Sequence, residues 1–299
     1  MLYRTQLSIL IPTYNVDCTL LVKTLRQQAM SMKGLYFEII VADDGSTLSS
    51  VINKNLDINQ LSHCRYIIRK KNVGRSQIRN FLTSIAHYPW LLFVDSDMQI
   101  VNNVYLTQYL KAYSQAKVIY GGNCVHREIL PNDGTLRYYN EKKIREKYTA
   151  TERNKNPYQH FTTSNFLVAR SVMIVHPFNS SINSYGYEDV LFGKELKVAN
   201  IRIYHIDNPV GFCHFEDNES YLTKTKEAMQ TLYQYRKEIE GYSPILDVYQ
   251  QLKYWHLVSF IKLLFRLTQK MMLKHLTSSH PSLFIFKCYK LGYFCTLNQ

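Results

Sequence analysis

The 299-residue sequence has no run of 18 uncharged apolar residues, so it offers no helix long and apolar enough to cross a bilayer. It has no C-x-x-C pair. Its six cysteines, Cys18, Cys64, Cys124, Cys213, Cys288 and Cys295, are scattered singly. That argues against a disulfide framework or a clustered zinc site, and reads as reduced thiols in a cytoplasmic protein. Internal repeats and low-complexity tracts are absent, and 11 Gly and 8 Pro are too few for a collagen-like or disordered chain. The start, Met1-Leu2-Tyr3-Arg4-Thr5, is not read as a secretory signal, because the apolar run Leu7–Pro12 is short and strand-like. Acidic residues are scarce at the end. Residues 242–299 hold one Asp against 7 Lys and Arg.

What is present is globular: 46% hydrophobic and 20% charged residues, in a length that suits one large α/β domain or two small ones. The net charge is +13, of which +6 lies in residues 242–299. The first 125 residues alternate two patterns. Strand-like runs fall at Gln6–Pro12, Phe37–Asp43, Arg65–Arg69, Trp90–Asp95 and Lys117–Gly121, nearly continuous in Val, Ile, Leu and Phe as for strands covered on both faces. Helical patterns separate them, over Thr19–Ser31, Ser50–Leu61, Arg75–His87 and Asn103–Ser114. This predicts βαβ crossovers, a mostly parallel Rossmann-like sheet, and a ligand at the carboxyl ends of its strands. Residues 126–160 show no period and are expected to form a long mobile loop. A strand at Phe161–Ala169, helices near Glu188–Ala199 and Glu219–Glu240, one long helix over Tyr249–Leu276 and a short element at Leu283–Phe294 complete the expectation.

Polar clusters punctuate the strand ends. They are Pro12-Thr13-Tyr14-Asn15, Asp43-Asp44-Gly45-Ser46 and Asp95-Ser96-Asp97. A single Asp there is usually a turn or cap residue. Three clusters on one rim point to a ligand. Carboxylates at i and i+2 past a buried strand can hold a hard divalent cation, which leaves coordination positions for phosphate oxygens. Between the third strand and its helix, Gly74 permits close backbone approach, and Arg75 and Arg79 share a face at the helix start, suited to a diphosphate. An ordinary charged helix start would look the same.

Taken together, I-P-T-Y-N, A-D-D-G-S, N-V-G-R-S-Q-I-R-N and V-D-S-D stand in the order of the inverting family 2 glycosyltransferases, and roughly residues 5–240 resemble them. The resemblance implies the GT-A nucleotide-sugar fold, a UDP-sugar donor and a Mn2+ or Mg2+ cofactor. It implies that Pro12, Tyr14 and Asn15 line the uridine pocket and that Asp43 and Asp44 read the uracil edge and ribose. It assigns Asp95 to the ribose and metal side, with Ser96 beside the donor, and Asp97 as direct metal ligand. Ser184-Tyr185-Gly186-Tyr187-Glu188-Asp189 resembles the family's Glu-Asp motif. That implies Asp189 as general base, and Glu188 with Tyr187 on the acceptor. His214 corresponds to a histidine that completes the metal site, Asn165 to a segment on the acceptor side, and Gly122 to a glycine under the donor sugar. For each of these a plain turn or core role is the competing reading.

The expected organisation is therefore a GT-A domain over 1–241, with a nucleotide-binding half 1–125 and an acceptor-binding half 126–241, followed by a basic helical tail over 242–299. In that tail Lys262, Arg266, Lys270 and Lys274 form a stripe beside Leu257, Phe260, Ile261, Leu264, Leu267 and Met271. The stripe is either a solvated edge of a packed helix or an interfacial face for an anionic membrane. No nucleic-acid motif accompanies the charge, so nucleic acid is not expected as a partner. The function expected is transfer of a hexose or hexosamine to a glycan or lipid-linked acceptor, in the cytoplasm at the inner face of the cell membrane. Two competing functions are a non-catalytic nucleotide-sugar-binding subunit and a nucleotidyltransferase.

Overall fold

In the computed structural model, which describes residues 5–125, 135–182 and 184–297, a seven-stranded sheet gathers strands from Thr5 to His205. Its strands are β1 (Thr5–Thr13), β2 (Leu35–Asp43), β3 (Cys64–Ile68), β4 (Trp90–Val94), β6 (Val118–Tyr120), β8 (Asn165–Ala169) and β9 (Ile203–His205), in the order β3-β2-β1-β4-β8-β6-β9. β1 runs parallel to β2 and β4, β2 to β3, and β6 to β9. Only β8 is antiparallel to its neighbours β4 and β6.

The continuous apolar runs mean what they should: both faces are covered. Leu7, Ile9 and Ile11 of β1 join Val22 and Leu25 of α1 (Thr19–Ser31) and Leu106 of α4 (Tyr105–Ala112). On the opposite face Leu10, Ile40 and Phe93 meet Ile78 and Leu82 of α3 (Arg75–Ile85), along with Phe192 and Leu196 of α8 (Glu188–Val198). Between β2 and β3 the expected single helix is α2 (Ser49–Leu56) followed by a 3-10 turn over Asp57–Gln60.

A second, three-stranded sheet places β10 (Val210–Phe212) between β5 (Met98–Ile100) and β7 (Asn123–Cys124). The Cys213 N–H donates to the Asp97 carbonyl at 3.1 Å. The segment that carries His214 is thereby fixed beside the aspartate cluster.

Two expectations are corrected. The expected mobile loop over 126–160 holds two helices, α5 (Thr135–Lys147) and α6 (Ala150–Lys155), followed by turns, while residues 126–134 lie outside the described residues. These helices escape a hydrophobic pattern because arginines share their inner faces with Leu136 and Tyr138. Arg145 is paired with Glu141 at 2.7 Å, and buried Arg153 donates to the Ile206 carbonyl at 3.0 Å. The expected long helix over Tyr249–Leu276 is two, α10 (Pro244–Tyr254) and α11 (Val258–Leu276). His256 sits at φ 55, its N–H donating to the Lys253 carbonyl at 3.1 Å, while the Leu257 N–H reaches the Leu252 carbonyl at 2.8 Å. That double closure ends a helix on a left-handed residue, a position that usually advertises itself with Gly or Asn and here carries His.

The final helix, α12 (Leu283–Leu297), is wedged between α9 (Asn218–Gln234) and α11. Phe294 and Cys295 pack with Met229 and Leu232 of α9, and Phe286 and Tyr289 pack with Phe265 and Leu276 of α11. Gly292 is required there, because a Cβ would run into the Phe265 ring.

Candidate active site

The carboxyl ends of β1, β2 and β4 open into one cleft of about 480 Å³. Its walls include Pro12 and Tyr14 after β1, Asp44 after β2, and Asp95, Ser96 and Asp97 after β4. Gly74, Arg75 and Arg79 enter from the start of α3, Ser184 and Tyr185 from the approach to α8, and Lys224 and Glu227 from α9.

Asp44 shapes this floor as much as it faces it. Its Oδ1 accepts from the Val73 N–H at 3.0 Å and its Oδ2 from the Gly74 N–H at 2.9 Å. Burial pushes the carboxyl above its usual value against these bonds. Gly74, at φ 87, caps α3, and Gly45, at φ 78, lies so close to the neighbouring loop that a Cβ would fall 2.8 Å from the Asn72 nitrogen. Tyr14 is 44% exposed on the cleft wall.

Other residues expected at the ligand are turned to scaffolding. Asp43 is fully buried, accepting from the Ser46 N–H at 2.6 Å and from the Tyr66 hydroxyl. Asn15, at φ 55, accepts from the Thr47 and Leu48 N–H groups at 2.8 and 3.0 Å and so ties the first motif to the second. Asn165 is fully buried. Its Oδ1 accepts from the Tyr105 and Tyr109 hydroxyls at 2.6 and 2.7 Å, and its amide donates to the Gly122 carbonyl at 2.7 Å. Gly122, at φ 89, lies against the Arg153 guanidinium, 2.7 Å from where its Cβ would be. Tyr187, at φ 67, packs among Leu232 and its neighbours on α9 and α10. None of these five is part of the cleft wall.

At the heart of the site is Arg79, 1% exposed. Its Nη2 is 2.6 Å from Asp95 Oδ1 and its Nη1 3.8 Å from Glu188 Oε1. Arg75, half-exposed, reaches the same Glu188 oxygen at 3.6 Å and stacks over the Tyr185 ring at 4.6 Å. Glu188 is thus held on the arginine side. Among the described residues Asp189 accepts from the N–H of its own neighbour Val190, at 2.8 Å. Desolvation, then the charge of Glu188, push its carboxyl up to about 7, against the pull of that N–H and of Arg75 and Arg79. Burial and the adjacent Asp95 likewise push Asp97 above the ordinary carboxylate range, while Arg137, Arg75 and His214 draw it down.

Sequence reasoning missed the far wall. Arg137 of α5 is 3.0 Å from Glu216, and Lys224 of α9 bonds the same Glu216 oxygen. The Tyr185 N–H donates to Glu227 at 2.8 Å, which ties the approach to α8 onto α9. Only the i, i+3 spacing of Lys224 and Glu227 on α9 hinted that they share a face.

Among the described residues, no group of three or more His, Cys, Asp and Glu forms a metal cage. Asp95 and Asp97 nevertheless fit Mg2+ or Mn2+, which are bound by one or two carboxylates with phosphates and water completing the shell. His214, exposed, stands close enough to lower Asp97.

Residues 8–175 match the family described as Glycosyl transferase family 2, over more than half of the chain. The chain belongs to glycosyl transferase family 2. Among solved structures, this family 2 enzyme superposes on the mannosyltransferase PcManGT from Pyrobaculum calidifontis, in complex with GDP-Man and Mn2+. The TM-score is 0.59 at 12% identity, covering 98% of this chain and 86% of that one. It also superposes on S. aureus TarS, with TM-score 0.51 at 17% identity, covering 96% of this chain and 55% of TarS. These likenesses show a GT-A fold, and with the family they make this glycosyltransferase an enzyme of glycosyl transfer. Against curated protein sequences the chain finds no match.

Proposed function

We propose that this family 2 glycosyltransferase transfers a hexose or hexosamine from a UDP-sugar to a hydroxyl of a glycan or lipid-linked acceptor, with inversion at the anomeric carbon. The observation that carries the reading is Asp189. Its carboxyl, pushed up to about 7 and close enough to the cleft-wall residues Arg75 and Arg79 to feel their charge, is suited to take the proton of an attacking hydroxyl. One carboxylate acting as base on the attacking hydroxyl gives a single displacement and therefore inversion, unlike retaining glycosidases.

In this reading Tyr14 stacks on the base of the nucleotide, Pro12 and Asp44 border it, and Gly74 with Arg75 approaches the diphosphate. Asp97 and Asp95, with His214 beside them, hold Mn2+ or Mg2+, which when bound neutralises diphosphate charge. Arg79 and Glu188 position: the first fixes Asp95, and the second fixes both arginines next to the base. The Mn2+ and GDP-mannose of the Pyrobaculum structure support a nucleoside-diphosphate sugar and a divalent ion. Residues 1–241 form the catalytic unit and 242–299 a tail that holds it at the inner face of the cell membrane.

Calorimetry with a panel of UDP- and GDP-sugars, with and without Mn2+, tests the donor. A UDP-sugar should bind with a metal requirement that Asp97→Ala removes. Metal-independent binding, or preference for a guanosine donor, overturns the assignment.

A further inference from the structure

We infer that the outer face of α11 is a docking surface for an anionic lipid bilayer, with the helix lying in the plane of the interface. This deepens the membrane placement proposed above by naming the face and the lipid.

The observation is that α11 is apolar on two sides. Its inner side, Phe265 and Leu276, is buried against α12. Its outer side is not covered by any described residue: Phe260 is 61% exposed, Leu267 73% and Met271 74%, with Leu263 and Leu264 between them. Positions 260, 264, 267 and 271 recur at helical spacing and form one continuous stripe. At its N-terminal end the α10–α11 corner presents Tyr254 and Trp255, 77% and 68% exposed and packed edge to face at 5.3 Å. Exposed aromatics with polar tips suit the depth where headgroups meet acyl chains.

Charge selects the occupant. Arg266, Lys270 and Lys274 are exposed along one edge of the stripe, and Asp247 is the only acid in residues 242–299. A second copy of the chain would bring one strongly basic face against another, since a two-fold interface pairs a patch with itself. An anionic bilayer accepts the apolar stripe and the basic edge together. No described helix is long and apolar enough to cross a membrane, so the contact is in-plane.

The test is co-sedimentation of the full chain with phosphatidylcholine vesicles, with and without phosphatidylglycerol. The same proteins are also followed for helicity by circular dichroism and for thermal stabilisation by UDP and Mn2+. Binding should require phosphatidylglycerol and should weaken roughly fivefold for each cation removed, about a hundredfold in the R266Q/K270Q/K274Q variant. L267Q/M271Q should also release the protein, with helicity unchanged because the inner face is untouched. Equal binding to phosphatidylcholine alone overturns the proposal, as does vesicle binding indifferent to both variants. So does a concentration-dependent dimer dissolved by L267Q/M271Q in a chain that ignores vesicles. An unsubstituted chain that ignores vesicles while UDP still stabilises it overturns only the docking surface. The reverse outcome indicts only the donor reading.

Discussion

In the reading proposed above Asp189 takes the proton of the attacking hydroxyl, and its setting gives that role a pH dependence. With the carboxyl held near 7, transfer should fall about tenfold per pH unit on the acid side of that value, because the protonated form cannot accept the hydroxyl proton. Asp189→Asn should lower turnover by about 10²-fold or more while UDP affinity changes little; a pH–rate profile and calorimetry on the same preparations check both. Glu188 raises Asp189 by its charge and restrains the arginines that lower it. Glu188→Gln should therefore move the acid limb of the profile to lower pH as well as reduce kcat. A limb that stays in place would return Glu188 to a simple packing role. Stability follows the same proton. Because the folded-state value is raised, the carboxyl's favourable contribution is complete below its ordinary value and is lost as pH rises through about 7. Asp189→Asn should raise Tm at about pH 8 and leave it unchanged near pH 4, where the wild-type carboxyl is already neutral. Residue-scale roles were only half legible in the sequence. Asp43 and Asn165 carry the polar groups that ligand binding would use, and they occupy them internally, with the Ser46 N–H and Tyr66 and with Tyr105, Tyr109 and Gly122.

Among elements, α3, β4 and α8 meet at one guanidinium. Removing it strips Asp95 of its cation and leaves Glu188 to the half-exposed Arg75, and breaking such a buried pair costs about 3–5 kcal/mol. Arg79→Ala should lose stability of that order in urea unfolding, whereas Arg75→Ala, half-exposed, should lose far less. At the α10–α11 corner the sign reverses. Residue 256 adopts a left-handed conformation that His does not favour, so His256→Gly should stabilise by about 0.5–1 kcal/mol, read in the same melt. The elements show why part of the fold could be read beforehand. α1 is found over Thr19–Ser31 as its pattern predicts, and the strands lie within a few residues of their apolar runs, because burial on both faces leaves an uninterrupted signature. α5 and α6 could not be read that way. Arg145 and Arg153 are interior residues that look like surface ones until Glu141 and the Ile206 carbonyl are placed beside them. The corner at His256 was hidden for a related reason: helix closure rested on backbone bonds rather than on a glycine.

Over the whole molecule, the +13 net charge divides by location and purpose. Cations of the first 241 residues converge on carboxylates around the cleft, Arg79 on Asp95 and Arg137 with Lys224 on Glu216. Those of the tail have almost no acid nearby in sequence, and Arg266, Lys270 and Lys274 among them line the edge of an exposed stripe. The placement of Lys224 and Glu227 on the cleft wall, with Arg137 paired to Glu216 behind Lys224, was beyond any local pattern, since it depends on how the second half folds back over the strand ends.

α9 joins these two regions as a single rod. Lys224 and Glu227 stand at the cleft, and Met229 and Leu232 are locked to α12 within a few residues along the same 17-residue helix. Its contour is about 26 Å with no break. The bundle therefore cannot tilt without carrying one wall of the cleft with it. Whatever surface the bundle rests on sets the height at which the cleft opens, and a helix of fixed length becomes a ruler for how far from that surface a reactive hydroxyl can be met.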